Sequence, residues 1–443
     1  MHIVLVGAGS ASFGPSLLGD LFLNAEHLRN SRVCLVDVDE QALHLMARYA
    51  TRLNRAFGEP FRLEATTDHR EVLPGAHVVF VSVAVNRLET WKLDWQIPLR
   101  HGVRHVLGEN GGPGGLSHAL RNIPLVLQIA RDVQRLAPQA LLINFTNPLS
   151  RVCMALDRYT QVQFVGLSHH IAHGYALVNQ VLQLVPTPAQ RHLPDRATLA
   201  AIRSRLRLRA AGLNHFSFIL EMRDPHTGED LYPRFRTALA QMPPNFELMS
   251  RRLMDVFGLF CASGDLHAGE YISFAAETQP LCGFDFRTHE AHRARLRETL
   301  QQLADEPDDA RARQHVQPSI EHAVDVALGW LGLAEQSEDA LNLRNNGRIA
   351  HLPAEAIVET PGRVIHNQLI GEAIGDMLPR GLAAIMHREV EIQSLVVEAA
   401  VKGDRNAALQ ALLLDPHIHS YAQATHLLED LLRAQAAYLP QFA

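Results

Sequence analysis

Short apolar runs alternate with helix-like segments along the first third of the chain. Five runs carry aliphatic or aromatic residues at nearly every position: IVLVG, RVCLVDVD, HVVFVSVAV, ALLINF and VQFVGL. Strands that are buried on both faces of a parallel sheet have this continuous pattern, since helices cover both sides of such a sheet. The pattern predicts an α/β fold with a Rossmann-like, doubly wound parallel sheet over residues 1–170.

The pattern changes from about residue 290 to long stretches with apolar residues three or four positions apart. GLAAIMHREVEIQSLVVEAAVKGDRNAALQALLLD has this helical spacing, and HEAHRARLRETLQQLADE is charged on most faces. Between them, NNGRIAHLPAEAIVETPG is typical of a loop followed by a strand. The sequence therefore predicts a larger C-terminal α+β domain over residues 171–443, whose helices pack on the first domain.

The composition narrows the classes of protein. The 443 residues are 47% hydrophobic, which is enough for a large core. The net charge is -6 and no basic stretch with interleaved aromatic residues is present, so we expect no nucleic-acid partner. No apolar run reaches the roughly 20 residues that cross a bilayer. Because the chain opens on a strand-like HIVLVG, we expect a cytoplasmic protein without membrane contact.

The four cysteines are scattered in apolar surroundings without paired spacing. They are Cys34, Cys153, Cys261 and Cys282. We therefore expect free, buried thiols instead of a disulfide framework.

The turn after the first apolar run has residues typical of a dinucleotide site. VLVGAGSASFG places Gly7 and Gly9 at a strand-to-helix turn, where backbone amides can approach a pyrophosphate, and Ser10 follows them. Ser12 stands where the usual fingerprint has its third glycine, so a simple turn is the alternative. Asp37 ends the second run, where a carboxylate can accept hydrogen bonds from ribose hydroxyls and repel the extra phosphate of NADP. These residues favour NAD.

Polar residues also follow the later runs, near the carboxyl edge where open α/β sheets hold ligands. NFTNP places Asn147 there, either as a ligand contact or as a helix cap. FVGLSHHIAHG brings a serine and three histidines within six positions, which suits a metal site, a proton-transfer site or a polar turn. The glycine-rich ENGGPGG indicates close backbone approach to a ligand or to another segment.

The chain resembles glycoside hydrolase family 4, the NAD- and metal-dependent glycosidases, in an ordered set of motifs that runs from residue 3 to about 365. The motifs are GAGS, LVDVD, IPLRHG, GPGGLSHALRNIP, NFTNP, GLSHH, GLNHFSFI, GDLHAGEYI and NNGRIAHLPAEAIVETPG. The resemblance implies NAD and a divalent metal, commonly manganese, as cofactors. It also implies a homodimer or homotetramer.

The family's activity, as the resemblance implies it, is redox-assisted elimination. NAD takes a hydride from sugar C3, a base removes the acidified C2 proton, and the aglycone leaves C1. Water then adds across the double bond and the hydride returns. The metal polarises the C3 carbonyl, and an acid assists the leaving oxygen.

The resemblance assigns His215 as the metal-binding histidine, and it places Ser168 where the family has a metal-binding cysteine. A hydroxyl is a far poorer ligand than a thiolate. Three alternatives remain: the metal is bound more weakly through His215, Ser168, water and sugar oxygens; a neighbouring histidine, His170 or His173, has taken over; or the metal is lost.

The remaining roles also follow from the resemblance. His169 matches the acid and substrate contact, and histidine at this position implies an unphosphorylated sugar. Tyr271 matches the base for the C2 proton, a role that requires a nearby cation. Asp265 is an alternative base or a helix cap. Apart from the resemblance, the place of Asn147 near the carboxyl edge of the sheet makes it a candidate substrate contact.

The main hypothesis is therefore a glycosidase that acts on unphosphorylated, α-linked glycosides. A plain NAD-dependent dehydrogenase of sugars or hydroxy acids would use the same hydride step without elimination. A third hypothesis is a catalytically impaired sugar- or nucleotide-binding protein, in which Ser168 marks the lost metal.

Overall fold

Six parallel strands form the N-terminal part of the structure, a computed structural model that describes residues 1–187, 193–278 and 284–443. The strands are β1 (His2–Val6), β2 (Arg32–Val36), β3 (Arg62–Thr66), β4 (Val78–Val81), β5 (Leu141–Asn144) and β6 (Gln163–Gly166). They lie in the order β3-β2-β1-β4-β5-β6, the order of dinucleotide-binding folds. The predicted α/β fold class is confirmed.

Helices cover both faces of this sheet, which explains the continuous apolar runs. In β1, Val4 and Val6 enter one buried cluster, while Ile3 and Leu5 enter another. Both faces thus exclude water, and each position favours an apolar residue. The helices are α1 (Phe13–Leu23), α2 (Glu40–Ala56), α3 (His69–Val72), α4 (Arg87–Arg100), α5 (Gly112–Leu136), α6 (Leu149–Tyr159) and α7 (His170–Leu182).

The hydrophobic pattern did not predict β3. Its residues, RLEAT, are exposed or half-buried because the strand lies at the edge of the sheet. An edge strand needs few apolar residues, and charged side chains protect it from pairing with other chains. Arg32 of β2 and Glu64 of β3 form such a charged pair, with 2.6 Å between Arg32 Nη2 and Glu64 Oε2.

The sheet continues into an antiparallel part beyond β6. Its strands are β7 (Arg207–Leu213), β8 (Phe216–Arg223), β9 (Gln336–Arg344), β10 (Ile357–Ile365) and β11 (Gln368–Gly371). Gly166 of β6 pairs with Asn342 of β9, and β10, β7 and β8 follow in that order, with β11 beside β10. One sheet therefore runs past residue 170. The division into domains 1–170 and 171–443 stays a prediction.

Further helices surround the antiparallel strands and the first half of the chain. They are α8 (Arg196–Arg203), α9 (Tyr232–Leu239), α10 (Leu248–Phe257), α11 (Gly264–Ala268), α12 (Ala275–Thr278), α13 (Phe286–Ala304), α14 (Asp309–Gln314), α15 (Ala323–Trp330), α16 (Arg380–Lys402), α17 (Arg405–Leu414) and α18 (Tyr421–Ala434). α16 packs on α5 and α6, and α13 packs on α2. The predicted late helices, and the loop followed by a strand at β10, are confirmed.

The described thiols agree with the expectation of free, buried cysteines. Cys34, Cys153 and Cys261 are buried and unbonded to one another, and Cys282 lies outside the described residues. Among the helices of the three described ranges, none is both long and apolar enough to cross a bilayer.

A buried ion pair fastens α4 to α5. The Asp94 carboxylate accepts from both terminal nitrogens of Arg121, with 2.9 Å from Nη1 to Oδ1, and both side chains are fully buried. Gln435 Nε2, near the end of the chain, donates to Asp94 Oδ1 at 2.8 Å. Asp94 thus joins three segments that are distant in sequence.

We expect Asp94→Ala to lower the free energy of unfolding by about 3–5 kcal/mol, because it leaves the Arg121 charge buried without its partner. Urea denaturation followed by circular dichroism would measure this loss. Glu64→Ala is the matched control: it removes the two-bond contact with Arg32 at the exposed edge and should cost about 1 kcal/mol or less. Equal losses in the two variants would contradict the prediction.

Candidate active site

The glycine turn after β1 is held tightly against its neighbours. Gly7 has φ 91°, and a Cβ there would lie 2.0 Å from the Ser82 carbonyl oxygen. The amide of Gly9 donates to Asp37 Oδ2 at 2.8 Å, and a Cβ on Gly9 would come equally close to that oxygen. Only glycine fits at either position. The turn and the carboxylate at the end of β2 are therefore fixed together, as a dinucleotide site requires.

Gly14 allows the close helix packing that is expected of the third glycine in a dinucleotide-binding turn. The sequence did not single it out. A Cβ at Gly14 would lie 2.4 Å from the Ala8 carbonyl oxygen and 2.7 Å from the methyl of Met46. Its position in α1 thus allows the helix to pack closely on the turn. Ser10 Oγ accepts from the amide of Phe13 at 3.2 Å and supports the start of α1. Taken together, the residues present fit a dinucleotide.

Ser168 and His215 meet at the carboxyl end of β6. Ser168 Oγ lies 3.4 Å from His215 Nε2, although the two residues are 47 positions apart. His215 has φ 62° in the tight turn between β7 and β8, which aims its ring toward β6. Burial, together with the nearby histidines, lowers the pKa of His215 well below its ordinary value. The ring is therefore neutral, the form that binds metals.

With only two donors from the protein, Ser168 and His215 fit a site that would bind a metal weakly, and they do not form a complete coordination shell. Within the described residues, no group of three or more histidine, cysteine, aspartate or glutamate side chains is arranged to hold an ion. The ring of His267 stacks on that of His215 with 4.5 Å between centroids, and His215 Nδ1 is buried without a hydrogen-bond partner among the described atoms. Water and sugar oxygens would have to complete the coordination, which suits oxygen-tolerant ions such as manganese.

His170 is engaged in a buried network of its own. Its Nε2 lies 2.7 Å from Glu359 Oε1 and 2.9 Å from Ser217 Oγ. Asn342 and Asn214 donate to the other Glu359 oxygen, at 3.1 and 3.0 Å. His170 Nδ1 faces Ser168 Oγ at 3.4 Å. His170 is thus committed to supporting Ser168, and this geometry disfavours it as a replacement ligand.

His169, the residue after Ser168, forms an ion pair with Glu321. Its Nδ1 lies 2.9 Å from Glu321 Oε1, and 41% of its side chain is exposed. The Glu321 carboxylate raises the pKa of His169, against the effect of burial. Burial acts to raise the pKa of Glu321, but His169 lowers it overall. Each partner therefore favours the charged form of the other. His173, also part of the histidine cluster, has an interaction partner and is not a free donor.

Asp265 and Tyr271 lie on the same short segment but have different surroundings. The Asp265 carboxylate accepts from the amides of Met249 and Ser250, at 2.8 and 2.7 Å, and from the Ser250 hydroxyl. Both oxygens thus cap the start of α10, and the geometry favours the capping alternative over a catalytic base. Tyr271 is 3% exposed and packs on Phe216, the residue after His215, with 5.0 Å between ring centroids.

The ENGGPGG segment wraps around a buried carboxylate. Glu270 Oε1 accepts from the amides of Glu109 and Asn110, at 2.6 and 3.0 Å. Burial raises the pKa of Glu270 to about 7. Asn147 Nδ2 donates to Glu109 Oε1 at 3.3 Å, so its side chain does not cap α6. Glu109 also pairs with Arg87. The glycine-rich loop therefore joins Asn147 to the segment that carries Tyr271.

The structure brings Ser168, His169 and His215 together at the end of β6. Sequence reasoning missed Glu270, Glu321 and Glu359, which hold the surrounding segments. Glu270 lies within GDLHAGEYI and Glu359 within NNGRIAHLPAEAIVETPG, but the motifs gave neither a role, and Glu321 lies outside the quoted motifs. Each acts on residues more than 100 positions away.

Sequence comparisons agree with this arrangement. The profile described as family 4 glycosyl hydrolase matches residues 2–184, and the profile of its C-terminal domain matches residues 210–418. An alpha-glucosidase from Erwinia rhapontici is 31% identical over 99% of this chain and 98% of its own length. An alpha-galactosidase from Rhizobium meliloti (strain 1021) is 28% identical over 100% of this chain and 89% of its own.

Solved structures share the fold. The Bacillus subtilis protein lplD has a TM-score of 0.84 at 25% identity, over 98% of this chain and 99% of that one. A 6-phospho-alpha-glucosidase from gut microorganisms, solved in complex with NAD and Mn2+, has a TM-score of 0.82 at 18% identity, over 100% of this chain and 99% of that one. At this identity the second likeness shows the fold alone.

Because burial raises the pKa of Glu270, we expect this residue to lower the free energy of unfolding as pH rises. The folded protein keeps the Glu270 proton up to about pH 7, whereas the unfolded chain loses it near the ordinary value of about 4.5. Its stabilising effect is complete below that lower value and is lost toward pH 7, on the order of 2–3 kcal/mol. In Glu270→Gln, the free energy of unfolding measured with urea should fall by that much less between pH 5 and 8. An unchanged slope would contradict the prediction, and exposed Glu298→Gln is the control.

Proposed function

The chain belongs to family 4 of the glycosyl hydrolases, and from this we propose that it is an NAD-dependent glycosidase acting on unphosphorylated, α-linked glycosides. The observation that carries the proposal is the meeting of Ser168 Oγ and His215 Nε2 at 3.4 Å, with His169 beside them at the start of α7. An imidazole at the acid position suits a neutral sugar. The alpha-glucosidase and alpha-galactosidase relatives support an α-linkage.

Each cofactor has residues that would hold it. Gly7, Gly9, Ser10 and Asp37 would hold NAD, and His215 with Ser168 would hold a divalent metal such as manganese. When bound, NAD supplies a hydride acceptor for sugar C3, and the metal supplies a Lewis acid for the oxygen on that carbon. Because Ser168 contributes a neutral hydroxyl, the protein itself gives the metal no anionic ligand at this position.

His169 and Tyr271 would move the protons. His169 is partly exposed and Glu321 favours its protonated form, so it would donate a proton to the leaving glycosidic oxygen. Burial, with nearby carboxylates, raises the pKa of Tyr271 well above its ordinary value. As the base for the C2 proton, Tyr271 therefore depends on positive charge brought into the site. Asn147 would contact the sugar from the end of β5.

We also propose that residues 171–443 supply most substrate contacts and the contacts of a homodimer or homotetramer. The turn that carries His215 and the segment that carries Tyr271 both belong to this part of the chain. Small glycosides are the expected partners.

Incubation of the purified protein with nitrophenyl α-glycosides tests the activity. We expect cleavage that requires both NAD and Mn2+, without net formation of NADH, because the hydride returns to the sugar. The reaction is followed by nitrophenol absorbance and NADH absorbance, with and without NAD, Mn2+ and a reductant. No cleavage under any combination would contradict the proposal. NADH accumulation without cleavage would instead support a dehydrogenase.

Metal binding by Ser168→Cys tests the candidate metal site. A thiolate beside His215 should raise the affinity for Mn2+ by about tenfold or more, since an anionic ligand replaces a neutral one. Equilibrium dialysis with measured metal content reports the change, and Ser204→Cys, which places a thiol at an exposed position away from the site, is the control. Absence of bound Mn2+ in both the wild type and Ser168→Cys would show that the site is lost.

A further inference from the structure

The contact between His169 and Glu321 determines which ring nitrogen faces the reaction. An ionised carboxylate only accepts hydrogen bonds, so His169 Nδ1, at 2.9 Å from Glu321 Oε1, must carry a proton. No described residue is hydrogen-bonded to His169 Nε2. Nε2 is therefore the ring nitrogen left to act on a substrate, and 41% of the His169 side chain is exposed.

We propose that Glu321 is a positioning residue for His169, which orients the ring so that Nε2 delivers the proton to the glycosidic oxygen. The inference rests on the proposed glycosidase function and adds to it a residue outside the motifs of the family resemblance. A carboxylate that fixes the second nitrogen of a histidine sets both the tautomer and the direction of the ring.

The step that Glu321 supports is the departure of the aglycone. The electron pair left at C2 after proton removal forms the C1–C2 double bond, and the bond between C1 and the glycosidic oxygen breaks. That oxygen takes the bond's electrons and the proton from His169 Nε2, so the aglycone leaves as a neutral alcohol. The positive charge lost from His169 balances the negative charge that would otherwise remain on the oxygen.

Glu321 is itself held by a residue of the nucleotide-binding half. The amide of Ser319 donates to Asp20 Oδ1 at 2.8 Å, and the Ser319 hydroxyl also donates to the Asp20 carboxylate. The amide of Glu321 in turn donates to Ser319 Oγ at 3.2 Å. Asp20 is 2% exposed and belongs to α1, the helix that begins after the glycine turn. The same helix therefore supports the turn and the segment that holds the acid.

The next residue fixes the segment from its other side. His322 has φ 56°, and its Nδ1 lies 3.4 Å from Asp325 Oδ2 and 3.5 Å from Glu338 Oε2. Arg203 Nη1 approaches its other nitrogen at 3.3 Å. Since Ser319 and His322 are anchored on either side of Glu321, the backbone that carries this carboxylate is held in place. A fixed segment that bears the carboxylate is the arrangement expected of a positioning residue.

The proposal can be tested by comparing kcat/KM for glycosides whose leaving groups differ in acidity. In Glu321→Ala, kcat/KM for methyl glycosides should fall about 100-fold, because a poor leaving group needs the proton. For nitrophenyl glycosides, which leave without help, the change should stay below about threefold. Glu321→Gln keeps an acceptor for Nδ1–H and should restore methyl-glycoside activity to within about tenfold of the wild type. Asp132→Ala is the matched control, since it removes a histidine contact of 2.9 Å, to His69, outside the site.

A spectroscopic readout is independent of turnover. In 15N-histidine-labelled protein, the Nδ1 proton of His169 should give a slowly exchanging, downfield resonance, which is identified by its absence in His169→Gln. The resonance should persist in Glu321→Gln and disappear in Glu321→Ala. If Glu321→Ala fails to fold, Ser319→Ala loosens the same segment and should show a smaller loss with the same dependence on the leaving group.

Equal losses for the two classes of glycoside, or a persistent Nδ1 resonance in Glu321→Ala, would overturn the proposal while leaving the glycosidase function intact. If the wild type cleaves no glycoside, the glycosidase function fails, and the resonance alone then decides whether Glu321 orients His169.

Discussion

Gly166 and Asn342 pair at the point where the parallel and antiparallel parts of the sheet join. A Cβ on Gly166 would lie 2.8 Å from Cys153 Sγ and 3.0 Å from Asn342 Cβ, so only glycine allows this approach. The join brings β7 and β8, with the turn that carries His215, into the same sheet as β6. Ser168 and His215 meet because of it, and Asn342 also donates to the Gly166 carbonyl and to Glu359. The candidate site thus depends on one close contact between strands.

Desolvation determines the charge state of much of the site. His215 and His267 are neutral because burial lowers the pKa of each, in the case of His267 to about 3. Two of the ion pairs around the site are His169 with Glu321, where 41% of the His169 side chain is exposed, and Arg151 with Glu389, where the side chains are 1% and 2% exposed. The protein therefore offers neutral donors where a cation would bind and retains a charged donor where a proton would leave.

The local sequence predicts those parts of the fold that depend on residues close together in the chain. The strands buried on both faces, the glycine turn and Asp37 could be predicted, since each depends on neighbouring residues or on a fixed spacing. β3 could not, because an edge strand lacks the apolar pattern. The capping contacts of Asp265 need the position of α10, which no short motif encodes. Glu321 lies 152 positions from His169, and only the assembled sheet brings the two together.

Serine in place of cysteine also changes the redox chemistry of the candidate metal site. A thiolate ligand can be oxidised to a sulfenic acid or a disulfide, whereas a hydroxyl cannot. The three described thiols are buried, and burial raises the pKa of Cys153 and Cys261 to about 12, so little thiolate forms for an oxidant to attack. At the proposed metal site, the Ser168 hydroxyl would bind the ion more weakly than a thiolate, but it would not be oxidised in air in the absence of a reductant.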